Sequence, residues 1–176
     1  MVKKDRSLIC NKTYLLIMIP KIYQKHLKNQ LNLAEYILLE ILLNLLQSIK
    51  KVSLEKLASA LPLPIKFESR RKRIQRFLSL TNLKIEKIWF PIIEELLKTY
   101  FRSDKIIYLA SDRTNWCRIN LFMVSIIWDK RAFPVYFKLL PKLGSSNINE
   151  QKEIIDKIIP LIINYKICVL GDREFC

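Results

Sequence analysis

The chain has 176 residues and 51% of them are hydrophobic, which suffices for one ordinary domain or two small ones with a buried core. This composition excludes a disordered tail. The formal charge is +15, and residues 1–103 carry 20 Lys and Arg against 8 Asp and Glu, so the excess lies in the first part of the chain. Concentrated positive charge is typical of nucleic-acid binding, with an anionic membrane surface as the alternative.

Helical periodicity fills the first 103 residues, and it predicts helices over residues 30–51, 53–61, 68–80 and 84–100, with Ser53 as an N-cap. The first of these helices is mostly apolar. Because Glu35, Glu40 and Asn44 interrupt it, we expect a core helix and not a membrane span. Polar residues at 32, 40, 44 and 48 predict one narrow polar stripe on an otherwise buried helix. The apolar stretch before Pro20 is too short for a signal peptide.

Short runs of β-branched and aromatic residues follow residue 103. "KIIYLAS", "INLFMVSIIW" and "AFPVYFKLL" precede a helix-like "NINEQKEIIDKIIPLIINY" and a last run "KICVLGD". The predicted order is strand, strand, strand, helix, strand, with a tight antiparallel hairpin at "DKR". Asn147 or Asn149 is expected to cap the helix, Pro160 to kink or break it, and Pro134 to lie at a sheet edge or bulge. The predicted fold class is therefore α+β, with a helical domain over residues 1–103 and a sheet domain over 104–176.

Cysteine and histidine usage argues against a zinc site. The four Cys stand at positions 10, 117, 168 and 176 with no close pair, and His26 is the single histidine. Because the spacing indicates no disulfide framework, we expect the Cys residues to be small buried hydrophobes in a reducing cytoplasm.

The segment "VSLEKLASALPLPIKFESRRKRIQRFL" is a candidate DNA-binding region. It consists of a short helix, a Pro-marked turn and a second helix with many cations, which is typical of helix-turn-helix-like DNA readers. On the second helix Ile74, Phe77 and Leu78 share an apolar face. The cations around the rest of the helix can reach phosphates or guanine edges, whereas the alternative is a solvated basic helix. The candidate DNA-binding residues of this helix are Arg70, Arg71, Lys72, Arg73 and Arg76.

Two aspartates each follow an apolar run: Asp112 follows "IIYLAS" and Asp172 follows "ICVLG". Carboxylates on neighbouring strands repel each other unless a cation lies between them, and Mg²⁺ prefers such oxygen ligands. The two residues therefore predict a metal site at one edge of the sheet, suited to activating water or a 3′ hydroxyl for attack on phosphorus. A turn residue or a helix cap is the alternative for an Asp at a strand end.

The motifs "SDRTNW", "FPVYFKLLPKLGSSN" and "VLGDREF" together resemble the DDE transposases of bacterial insertion sequences, of the IS-four type, over about residues 106–176. The Arg-rich helix resembles their N-terminal DNA-binding region more weakly. The resemblance implies an RNase H-like core in which Asp112 and Asp172 are the first two catalytic acids and bind Mg²⁺, two ions being held by the complete enzyme. Arg113, Trp116 and Arg173 flank the acids as further candidates for DNA contact, with packing of Trp116 and salt bridges of the two Arg residues as alternatives.

One departure from the family concerns its third acid, a Glu on a helix well beyond the second Asp. Glu174 is not its equivalent, because the family has a Glu there in addition to the distant one. We therefore expect an N-terminal fragment with an incomplete RNase H-like core, unable to transpose DNA alone and leaving Val169 and Leu170 exposed.

The expected partners are double-stranded DNA at transposon inverted-repeat ends, and a second copy of the chain or a full-length transposase. The expected location is the bacterial cytoplasm near the nucleoid, without a membrane. Two alternatives stay open: a non-catalytic DNA-binding module or inhibitor of a full-length transposase, and a nuclease or resolvase with the same core.

Overall fold

The computed structural model describes residues 19–101, 104–116, 119–141 and 147–171; of Trp116 it describes the backbone alone. Contacts between residues divide the chain into two compact units, Met1–Leu80 and Thr81–Cys176. The described part combines seven helices with one four-stranded mixed sheet, so the predicted α+β class is confirmed.

The described part of the first unit is helical, and its helices are α1 (Lys21–Gln30), α2 (Leu33–Ile49), α3 (Leu54–Ala60) and α4 (Phe67–Leu78). A capping box separates α1 from α2: the Glu35 amide donates to Asn32 Oδ1 at 2.9 Å, and the Asn32 amide donates to Glu35 Oε2 at 3.0 Å. The predicted N-cap of α3 is confirmed, since Ser53 Oγ accepts a hydrogen bond from the Lys56 amide at 3.4 Å.

The polar stripe predicted for α2 is wrong at Asn44, although Asn32 and Ser48 are exposed as expected, and the rest of the helix is not buried throughout. Asn44 is buried, and its Nδ2 donates to the Glu40 carbonyl oxygen at 2.8 Å, whereas Leu33 is 74% exposed. A short amide that bonds to the preceding helical turn meets part of its hydrogen-bonding need locally, which makes burial less costly. Among the described helices, none is both long and apolar enough to cross a bilayer.

The second unit contains the sheet. Its elements are α5 (Ile85–Ile88), α6 (Phe90–Tyr100), β1 (Ile106–Trp116), β2 (Ile119–Trp128), β3 (Arg131–Leu140), α7 (Ile148–Ile162) and β4 (Lys166–Gly171). The predicted order of three strands, a helix and a fourth strand is confirmed. The predicted helix over 84–100 is instead divided at Trp89, and Pro91 lies in the first turn of α6, where its missing N–H costs no helical hydrogen bond.

The strand order in the sheet is β3-β2-β1-β4. β1 pairs with β2, and β2 with β3, in antiparallel fashion, while β4 pairs with β1 in parallel. A parallel pair needs a crossover, and α7 provides it. The predicted hairpin at "DKR" is confirmed, with positive φ angles at Asp129 (46°) and Lys130 (62°), as in a type I′ turn.

Pro134 lies in β3, at one edge of the described sheet, as predicted. The register between β2 and β3 shifts beside it: Ser125 lies opposite Pro134 and Val124 opposite Tyr136, so that Val135 is an extra residue. The missing N–H of a proline is tolerated at such a place because no ladder hydrogen bond is lost.

The predicted cap of α7 is confirmed at Asn147, which forms a capping box with Glu150. The predicted break at Pro160 does not occur, because α7 continues through this residue to Ile162. The helix therefore spans the connection from β3 to β4 in one piece.

One face of the sheet forms the core of the second unit. Ile107 and Leu109 of β1 are buried there together with Ile154 and Ile158 of α7, and Lys138 of β3 forms an ion pair with Glu153 of α7 at 2.6 Å. The opposite face is more open. Its exposed apolar side chains include those of Tyr108, Phe137, Leu139 and Leu170.

Candidate functional site

Asp112 lies within β1, where it is paired with Met123 of β2. The prediction that Asp112 follows the end of this strand is wrong, because β2 continues to pair with β1 as far as Trp116. The pairing of β1 with β4 ends earlier, with Ser111 opposite Gly171. Asp112 is therefore the first residue of β1 beyond the described end of β4.

The side chain of Asp112 is exposed on the open face of the sheet. Strand alternation places it on the same side as Tyr108 and Ala110, and opposite to the helix-covered side. Its Oδ1 accepts a hydrogen bond from the Arg113 amide at 2.8 Å. The side chain of Arg113 belongs to the helix-covered face, where its strand partner is the buried Phe122. The side chains of Asp112 and Arg113 thus belong to opposite faces of the sheet, and the contact described between the two residues is made by the Arg113 backbone amide.

Three of the predicted site positions cannot be located in the same way. Asp172 and Arg173 lie outside the described residues, and so does the side chain of Trp116. In sequence, Asp172 directly follows Gly171, the last residue of β4. The described residues contain no group of three or more His, Cys, Asp or Glu that could hold a metal ion.

The described half of the predicted site has suitable chemistry for a hard cation. The Asp112 carboxylate forms no ion pair with any described residue, and carboxylate oxygens are the ligands that Mg²⁺ prefers. The Asp112 carboxylate can therefore supply one oxygen ligand to a divalent ion, and the second predicted ligand, Asp172, lies outside the described residues.

The predicted DNA-binding cations of α4 differ in their surroundings. Arg70 is half-buried, and its Nη1 donates to the carbonyl oxygens of Ser59 at 3.2 Å and Leu61 at 3.0 Å. These carbonyls belong to the end of α3, which lacks intrahelical donors. Arg71 Nε lies 3.7 Å from Glu55 Oε1, also on α3. The two cations at the start of α4 therefore join it to α3.

The other three cations, Lys72, Arg73 and Arg76, are exposed and form no ion pair with a described residue. Ile74 and Phe77 anchor the helix, as predicted, but Leu78 is 64% exposed and does not share their burial. A cleft of about 200 Å³ lies between α4 and α2. It is lined by Asn32, Ala34, Glu35 and Leu38 of α2, by Arg73, Arg76 and Phe77 of α4, and by Leu80.

A second cleft, of about 340 Å³, lies between α5 and β3 and was not predicted. Trp89 Nε1 donates to the Pro134 carbonyl oxygen at 2.9 Å, and its ring stacks on Phe133 with 5.5 Å between centroids. Burial raises the pKa of Tyr136 in the cleft, and the charge of Glu86 adds to the effect. Pro134 signals an edge strand with a free carbonyl, but no sequence pattern identifies its donor 45 residues away.

Comparison of the chain with models of protein families, with curated proteins and with solved structures gave no match.

Proposed function

We propose that this chain is a DDE-type transposase that binds the inverted-repeat ends of a transposon and processes DNA by metal-dependent phosphoryl transfer. The observation that carries the proposal is the parallel pairing of β1 and β4. Ser111 and Gly171 are partners in this register, and an aspartate follows each of them in the sequence. Paired residues on neighbouring strands lie about 5 Å apart, a separation that suits two carboxylates sharing a divalent ion.

The order of elements around this register also supports the proposal. Three antiparallel strands, a crossover helix and a fourth strand parallel to the first are found in the order expected for the start of an RNase H-like core. The motifs "SDRTNW" and "VLGDREF" that suggested such a core contain Asp112 and Asp172, respectively.

Asp112 and Asp172 are the residues that would hold Mg²⁺. When bound, such an ion supplies an activated water or 3′ hydroxyl and stabilises the leaving oxygen during phosphoryl transfer. The two carboxylates would contribute the negative charge that attracts the ion, with Asp112 on the open face of the sheet. The family's third acid has no assigned residue among these 176.

A second candidate function is a DNA-binding module without catalysis, which competes for transposon ends or pairs with full-length subunits. The distribution of charge favours this candidate. The first unit carries 16 Lys and Arg against 5 Asp and Glu, although it includes less than half of the chain. DNA binding without metal binding at Asp112 is the property that separates it from the first candidate.

Calorimetric titration with Mn²⁺ and Mg²⁺ tests the metal site. We expect Asp112→Asn and Asp172→Asn each to weaken Mn²⁺ binding at least about tenfold, because each removes a charged ligand. Asp156→Asn is the matched control, since Asp156 is exposed on α7. Unchanged Mn²⁺ affinity in Asp112→Asn refutes the transposase proposal, and retention of DNA binding by that variant then favours the module without catalysis.

A further inference from the structure

We propose that the chain binds the phosphate backbone of double-stranded DNA on an α4 cation surface, formed by Lys72, Arg73 and Arg76 beside the cleft to α2. The start of α4 does not take part. This inference deepens the proposed function and rests on it for the identity of the partner. It differs from helix-turn-helix recognition, in which the first residues of the second helix contact base edges.

The start of α4 is poorly suited to contact DNA. Arg70 donates to two α3 carbonyl oxygens, and Arg71 lies beside Glu55, so both cations already have partners within the unit. Glu68, in the first turn of α4, is exposed and repels a phosphate. At the start of α4, the Glu68 carboxylate therefore repels a DNA backbone, and the cations beside it already have partners.

The later part of α4 has the opposite character. Arg73 and Arg76 are three residues apart and therefore neighbours on the helix surface, and both line the cleft to α2. Ile74 and Phe77 hold this part of the helix, with 1% and 5% of their surface exposed. The two guanidinium groups thus project from a fixed support, and each can bind a phosphate through two parallel hydrogen bonds.

One carboxylate also lines this cleft. Glu35 Oε2 accepts a hydrogen bond from the Asn32 amide at 3.0 Å, which holds it at the first turn of α2. Two arginines therefore face one acid within the cleft, and Lys72 adds a third exposed cation on the same helix. The balance of charge at the α4 cation surface is positive, as a phosphate requires.

DNA fits this surface better than an anionic membrane does. A helix that binds a membrane presents an apolar face to the lipid, but Ile74 and Phe77 of α4 are buried inside the unit and Leu78 is its one large apolar residue with a mostly exposed side chain. Cations without an apolar companion surface are typical of phosphate contacts, which position DNA without reading its sequence. The contribution of the α4 cation surface to DNA binding therefore depends weakly on sequence and strongly on salt.

The test measures binding of the full chain to a random-sequence duplex at several salt concentrations. Arg73→Gln/Arg76→Gln is compared with Lys51→Gln/Lys56→Gln, which removes the same charge from exposed positions of the same unit. Loss of two phosphate contacts reduces the slope of log K against log salt by about 1.8. We expect that reduction in the arginine variant and less than about half of it in the lysine variant, with both variants helical by circular dichroism.

Equal reductions in the two double variants overturn the inference, since they reflect net charge alone. If Arg70→Gln reduces the salt slope more than Arg73→Gln/Arg76→Gln does, the inference is also wrong, and helix-turn-helix recognition is favoured. Binding to anionic phospholipid vesicles is measured in parallel. If Arg73→Gln/Arg76→Gln weakens vesicle binding while its DNA binding is unchanged, the surface is a membrane site and the inference is wrong.

The metal-site experiment distinguishes this inference from the proposed function. Asp112→Asn is expected to keep the wild-type salt slope in the absence of divalent ions. If Arg73→Gln/Arg76→Gln keeps the wild-type salt slope while Asp112→Asn loses Mn²⁺ binding, the inference about α4 is wrong and the proposed metal site is supported. If the results are reversed, the metal chemistry fails and the α4 cation surface stands.

Discussion

The first unit has 16 Lys and Arg against 5 Asp and Glu, whereas the second has 15 against 11. Both units have a buried apolar core, but the most complete burial is distributed in the opposite way. Of the twelve largest fully buried side chains among the described residues, ten belong to the second unit, and only Leu61 and Ile74 belong to the first. The second unit therefore has the more completely enclosed core, and the first carries the larger excess of positive charge, which favours electrostatic attraction.

This division fits the two tasks of the proposed function. Two metal-binding carboxylates need a rigid support, because small displacements change the geometry of a metal site. Attraction of a DNA backbone tolerates more movement, since it acts through many separate phosphate contacts.

The largest effect is expected from Ile158→Ala, in the core of the second unit. Ile158 is 0% exposed, so its truncation leaves a cavity and lowers the free energy of unfolding by about 2–5 kcal/mol. The adjacent Ile159 is 40% exposed, and Ile159→Ala is expected to cost less than about 1 kcal/mol. All three Trp residues lie in the second unit, so urea unfolding followed by tryptophan fluorescence measures the difference. Equal losses in the two variants contradict the core packing described for α7.

A smaller effect is expected from Arg70→Met, in the first unit. The change removes the hydrogen bonds to Ser59 and Leu61, and it also removes the buried Arg70 Nε, which has no hydrogen-bond partner. These contributions oppose each other, so we expect a loss of about 1 kcal/mol. Far-UV circular dichroism in urea measures it, with Arg76→Met, at an exposed position, as the control. Equal stability of the two variants argues against a structural role for Arg70.

The smallest effect concerns Glu55 and pH. The backbone N–H of Glu55, the Ser53 hydroxyl and Arg71 together lower the pKa of this carboxyl below its ordinary value of 4.5. A lowered pKa means that the ionised carboxylate stabilises the folded state above pH 4.5, and that this contribution is lost as the pH falls through the lowered pKa. The melting temperature should therefore fall more steeply between about pH 6 and pH 3 for the wild type than for Glu55→Gln. Parallel curves for the two proteins contradict the assignment.

Much of the second unit could be predicted from the sequence because local signals agree there. β-branched runs mark the strands, Asn147 and Glu150 mark the start of α7, and a two-residue loop favours the hairpin. These signals require no knowledge of distant contacts. In the first unit the capping box of Asn32 and Glu35 is an equally local signal, and it marks the start of α2 at Leu33, where the periodicity alone predicts a start at residue 30.

The candidate sites could be predicted only in part, because they depend on partners distant in sequence. Five cations on one helix look equivalent in the sequence, but Arg70 contacts carbonyls nine and eleven residues away while Arg73 does not. Asp112 lies in a polar run that looks like a loop, and only pairing with β2 makes it part of a strand. The exposure expected for Val169 and Leu170 is confirmed, at 57% and 43%.

The bulge at Pro134 makes the two edges of the sheet, β3 and β4, unequal as places where a further strand could pair. An extra residue and a missing amide interrupt the outer ladder of β3, which discourages another strand from aligning there. β4 has neither a proline nor a register shift against β1. Growth of this sheet is therefore directional: a strand recruited in a crowded or partly unfolded state would join beside β4, next to the position that precedes Asp172.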